Sequence, residues 1–78
     1  MPSSETLNIY LHADAVVPSV TVIINGGPTT PEVKTLPLHK KNPDVGEKKT
    51  VFTSTILVEQ EDAVSFEDQE EVCHANYN

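Results

Sequence analysis

The sequence has no arginine, no tryptophan and a single cysteine, Cys73, among its 78 residues. One thiol cannot form an intrachain disulfide, which removes the staple that many small secreted domains depend on. With no arginine, five lysines and a net charge of −7, the chain offers little to phosphates, so nucleic acid is not an expected partner. No apolar run approaches the roughly 20 residues of a membrane span, so no membrane partner is expected either. The start, Met1-Pro2-Ser3-Ser4-Glu5, has neither the basic segment nor the apolar stretch of a signal peptide. These absences together place the protein in the cytoplasm or another reducing compartment.

Aromatic residues are scarce as well: Tyr10, Phe52, Phe66 and Tyr77 make up the set, so the core must be thin. What is plentiful is β-branched. Ten valines, eight threonines and four isoleucines stand against four alanines and five leucines. Such side chains lose rotamer freedom in a helix and pack well on a pleated surface, so the composition predicts strands.

The clearest strand signal is residues 7–14, where Leu7, Ile9, Leu11 and Ala13 alternate with Asn8, Tyr10, His12 and Asp14. Residues 19–25 form a second strand, apolar enough on both faces to be central, and Asn25-Gly26-Gly27-Pro28 ends it. Residues 29–41 are weaker, because Pro37 cannot donate to a ladder; an edge strand fits, with Lys40 and Lys41 discouraging further pairing. Residues 42–49 carry turn residues at nearly every position. Residues 50–60 predict a strong strand, and residues 63–66 a short last one that would close a hairpin with it. The expected fold is all-β: an antiparallel sheet of four or five strands forming a small sandwich or open barrel. A flexible arm (1–6), one domain (7–66) and an acidic, mobile tail (67–78) describe the expected organisation. A helix over 59–72 is the main competitor.

Charge is unevenly distributed. Residues 1–58 balance five acids with five lysines, so the whole −7 falls in residues 59–78. Such segregation points to an interaction surface. Glu59, Glu61, Asp62, Glu67, Asp68, Glu70 and Glu71 would steer a basic partner, with Phe66 as an apolar anchor. Ser65-Phe66-Glu67-Asp68 resembles an acid-directed kinase site, making Ser65 a candidate phosphosite. The run 56–62 resembles the SUMO-interacting motif, although a core strand is not free to add to another sheet.

Tyr10, His12 and Asp14 share the polar face of the first strand and form a second candidate surface. A carboxylate two residues from an imidazole could orient it, but no nucleophile is placed nearby, so no catalytic residues are assigned. His12, His39, Cys73 and His74 lack the paired spacing of a zinc site, and neither metal nor cofactor is expected. The sequence therefore predicts a non-enzymatic protein-binding module, an inhibitor or adaptor acting on a basic protein surface. Its alternative is a self-assembling coat, tail or sheath subunit, a homo-oligomer with the acidic end as a solubility tail.

Overall fold

The computed structural model describes residues 4–26, 30–59, 62–67 and 73–77, and among these every regular element is a strand. In chain order they are β1 (Ser4–Ala13), β2 (Ser19–Asn25), β3 (Glu32–Pro37), β4 (His39–Lys41), β5 (Thr50–Glu59), β6 (Ala63–Phe66) and β7 (Cys73–Tyr77). They form two antiparallel sheets, one ordered β4-β5-β1-β7 and the other β3-β2-β6. The fold is thus all-β, as the composition predicts, and the described residues form seven strands, more than the four or five expected.

The inner faces follow directly from the alternation in the sequence. Leu7 and Ile9 of β1, Val20, Val22 and Ile24 of β2, and Ile56 and Val58 of β5 make one buried cluster spanning both sheets. Ile9, Leu11 and Val22 have no exposed surface at all. Strand β2 is central in its sheet, between β3 and β6, so Thr21 and Ile23 on its second face are still half-buried. Such two-sided burial is the reason both faces of this strand are rich in β-branched residues.

Three details differ from expectation, each for a reason visible in the backbone. Residues 29–41 do not give one strand. Pro37 ends β3, Leu38 steps across to the other sheet with its N–H on Pro18 O at 2.9 Å, and β4 begins at His39. Both pieces are edge strands, where a missing N–H is tolerated.

The expected hairpin of β5 with β6 does not form either. A turn joins them, with Asp62 N–H on Glu59 O at 3.0 Å and Glu59 N–H on Asp62 Oδ2 at 3.1 Å. That turn sends the chain into the opposite sheet, where β6 pairs with β2 in the register Val22 with Phe66 and Ile24 with Val64.

The third difference lies at the ends. β1 starts at Ser4, paired with Glu59, within the stretch read as an arm. Cys73–Tyr77, read as the end of a polar tail, is a strand on the free edge of β1, with Tyr10 opposite His74. Its polar residues fit because an edge strand needs only one apolar side, and Cys73 packs against the core. No helix occupies the described part of residues 59–72.

Candidate functional site

Because side chains alternate along a strand, burying Leu7, Ile9 and Leu11 turns Asn8, Tyr10 and His12 to the outside of the four-stranded sheet. Cross-strand register then decides their neighbours. Tyr10 lies opposite His74 on one side, while His12 lies opposite Val51 of β5, which in turn lies opposite Lys41 of β4. The rings come together: Tyr10 and His74 stack with centroids 5.2 Å apart at 22°. His12 and His74 stack at 5.1 Å and 28°.

The loop before β5 closes over the far end of this row. Glu47 N–H bonds to Asp44 O at 3.0 Å, making a β-turn whose third residue, Gly46, has φ = +92°. That value is the positive φ a type II turn requires, and it favours glycine. The turn delivers Glu47 to β1, where Glu47 Oε2 accepts a 2.8 Å hydrogen bond from His12 Nδ1–H. An ionised carboxylate can only accept, so Nδ1 carries the proton in this contact. The other oxygen, Oε1, accepts Lys49 N–H at 2.8 Å. These bonds, the Lys49 amide first and the His12 ring second, hold the Glu47 carboxyl below the usual carboxylate range.

Rings and loop enclose an open cleft of about 540 Å³, lined by Tyr10, His12, His74 and Asn76 on one side and by Lys41, Asp44, Val45, Gly46, Glu47 and Val51 on the other. Lys41 Nζ donates to Asn42 O at 3.1 Å and stands 3.9 Å from Asp44 Oδ1. That carboxylate is almost fully exposed, so the pair is weak and leaves the ammonium able to meet another anion. Lys40, Lys48 and Lys49 are exposed nearby in the same segment. The cleft offers flat π surfaces, a cation, and hydrogen-bonding groups on His12 and Asn76. Its lining contains neither serine nor cysteine.

The residues singled out from the sequence are scattered. Tyr10 and His12 share the cleft, but Asp14 lies exposed beyond the end of β1. Glu59 and Asp62 bond to each other across the β5–β6 turn, and Glu59 Oε1 also accepts Ser4 Oγ–H at 3.2 Å. Phe66 packs against the core from β6, Ser65 is half-buried opposite Ile23, and Glu67 is exposed. Glu61, Asp68, Glu70 and Glu71 lie outside the described residues. Among the described residues no cluster of three or more His, Cys, Asp or Glu could hold a metal ion. Of the residues lining the cleft, only Tyr10 and His12 had a place in the sequence reading of binding surfaces; His74, Lys41, Glu47 and Asn76 are among those it missed. The signal that could have found Lys41 and Glu47 was the crowding of four of the five lysines into residues 40–49.

Fold and site define a small β domain presenting a stacking surface beside a basic loop, suited to holding another molecule. The chain belongs to the family described as tRNA synthetases class I (E and Q), anti-codon binding domain, which matches residues 13–73. It is 43% identical over 68 residues to a protein of Schizosaccharomyces pombe named "Probable glutamate--tRNA ligase, cytoplasmic", covering 76% of this chain and 10% of that protein. The cytoplasmic glutamate–tRNA ligase of Saccharomyces cerevisiae is 37% identical over 68 residues, with the same coverage of 76% and 10%. That of Arabidopsis thaliana is 42% identical over 53 residues, covering 68% of this chain and 7% of the ligase. The chain thus spans about a tenth, or less, of the length of these relatives. No solved structure matches it.

Membership in this family corrects several expectations. The chain is a domain of a tRNA-synthetase family, and neither a protein-binding inhibitor or adaptor nor a self-assembling, oligomeric subunit. Its relatives are enzymes, which overturns the non-enzymatic assignment. The exclusion of nucleic acid falls as well, since the family is one of anti-codon binding domains. That exclusion rested on a net charge of −7, five lysines and no arginine, yet four of the five lysines lie together within residues 40–49. The relatives are cytoplasmic by name, in agreement with the compartment expected from the sequence.

Proposed function

We propose that this chain contributes to the anticodon-binding part of a glutamate–tRNA ligase and contacts the anticodon loop of a tRNA. The observation carrying this reading is the family match across residues 13–73. On this reading the joining of glutamate to tRNA belongs to the whole ligase, and the role of this chain is to grip the RNA.

The physical setting supports it. Sequence-specific RNA recognition is directed mainly at single-stranded loops, whose unstacked bases lie on aromatic rings while cations meet the phosphates. Lys40, Lys41, Lys48 and Lys49 supply the cations, and the net charge of −7 is no obstacle because attraction depends on local potential.

The test is titration of the full chain into a labelled hairpin RNA carrying the glutamate anticodon loop, at several salt concentrations. Binding is expected to weaken with salt, each phosphate neutralised contributing about 0.7 to 0.9 to the log–log slope. A blunt duplex of equal length should bind less tightly. Absence of binding to the hairpin at low salt, or equal binding to hairpin and duplex, would overturn the proposal.

A further inference from the structure

We infer that the Tyr10–His74–His12 ring row is a platform on which one unpaired base of the RNA loop stacks, with Lys41 meeting an adjoining phosphate. This rests on the anticodon-loop reading above and adds to it the place and mode of contact. The family match ends at residue 73 and begins at 13, so Tyr10, His12, His74 and Asn76 flank the matched segment. The platform is therefore read from this chain's own residues.

Three observations carry it. First, the rings are on the wrong side of the sheet for a core role. In a chain with a thin core, Tyr10 and His74 stand on the outer face, stacked on each other. Elsewhere Phe52 is buried and Phe66 packs against the core, while Tyr77 lies on the opposite face of β7 from His74. Among the described residues this row is the one place where aromatic rings gather in the open.

Second, the cleft has suitable dimensions. Its volume of about 540 Å³ lies within the roughly 300–1,000 Å³ typical of sites for small organic groups. It is open to solvent, as a base still attached to its backbone requires. Third, polar groups are arranged for a base edge and a phosphate. His12 Nδ1–H is committed to Glu47, which leaves Nε2 for an incoming group, and the Asn76 amide can both donate and accept. Lys41 adjoins on the opposite wall. Glu47 is a positioning residue here: it fixes the His12 ring without needing to touch the RNA.

The test replaces each unpaired loop position of the same hairpin in turn by 2-aminopurine, whose fluorescence falls when the base stacks. One position is expected to be quenched on binding the wild-type chain. His74→Ala and Tyr10→Ala should abolish that quench and weaken binding about 5- to 150-fold, the usual effect of losing one base–aromatic stack. Their salt slopes should stay at the wild-type value, since no phosphate contact is lost. Lys41→Gln should instead lower the slope by about 0.7 to 0.9 while keeping the quench. Glu47→Ala should weaken the quench, and Glu47→Gln, which keeps an acceptor for His12, should restore it.

Circular-dichroism spectra and urea-unfolding midpoints close to those of the wild type check that each variant is folded. Wild-type binding with a normal salt slope but no quenched position would overturn the platform and leave the anticodon-loop reading intact. So would undiminished binding by a folded His74→Ala variant. Failure of the wild-type chain to bind the hairpin at all would overturn both.

Discussion

Glu47 and His12 are 35 residues apart in sequence and 2.8 Å apart in space, joining the β4–β5 loop to the outer face of β1. The carboxylate bridges two segments, because its second oxygen holds the Lys49 amide at 2.8 Å. Both contacts are stronger to the ionised form, so the Glu47 pKa is lowered in the folded state. A depressed carboxylate stabilises the fold above its unfolded pKa, and that contribution disappears as pH falls through the folded value. The relevant window lies below about pH 4.5. Urea unfolding of the wild type and Glu47→Gln should differ at pH 6 in favour of the wild type. The difference should shrink towards zero on acidification; a constant gap from pH 6 to pH 3 would contradict this account.

Cys73 begins β7 and packs against the core. Burial pushes its thiol pKa up, and the thiolate is the reactive species. Alkylation at neutral pH should therefore be slower than for a free cysteine peptide, and denaturant should restore the ordinary rate. Equal rates in native buffer and in urea would mean that β7 does not hold this residue against the core.

Much of the fold was legible wherever alternation was strict. The buried residues Leu7, Ile9 and Leu11, and Phe52, Ser54, Ile56 and Val58, lie on the faces their period of two assigns. Sheet membership was not legible, because it depends on where a strand goes after its turn. Pro37 signals an interruption, but not that Leu38 would cross to the other sheet and bond Pro18. Likewise nothing local in Glu59 or Asp62 says that β6 pairs with β2. The cleft was half legible. Tyr10 and His12 share a face by simple alternation, whereas His74 joins them through the β1–β7 register, a contact spanning 64 positions from Tyr10 to His74. The acidic segment misled by weight of numbers: the Asp62 carboxylate is occupied by the Glu59 backbone N–H, and the Glu59 carboxylate accepts from Ser4 Oγ–H.

Core and surface positions on adjacent elements should separate cleanly by mutation. Ile9 is fully buried between sheets, whereas Leu57 is 66% exposed. Ile9→Ala should cost about 2–5 kcal/mol, from lost transfer energy and the cavity left behind. That approaches the roughly 3–5 kcal/mol a core this small can supply, so Ile9→Val, at about 0.5–1.5 kcal/mol, is the measurable probe. Leu57→Ala should stay within about 0.5 kcal/mol. Equal costs for Ile9→Val and Leu57→Ala in urea unfolding would place Leu57, contrary to its exposure, in a packed environment.

Gly46 tests whether the loop carrying Glu47 depends on its backbone alone. Its φ of +92° is one that side-chain-bearing residues rarely adopt. A Cβ added there would meet nothing within 4 Å, so crowding cannot account for any penalty. Gly46→Ala should cost about 1–2 kcal/mol through conformation only, and Gly46→Asn should cost less, because Asn tolerates positive φ better. The turn also delivers Glu47 to His12, so Gly46→Ala should loosen that bond and flatten the acid dependence of stability. Equal unfolding midpoints for wild type, Gly46→Ala and Gly46→Asn would show that the turn relaxes freely to another conformation. In that case the His12–Glu47 bond would have to be maintained by the Lys49 amide contact and not by the turn.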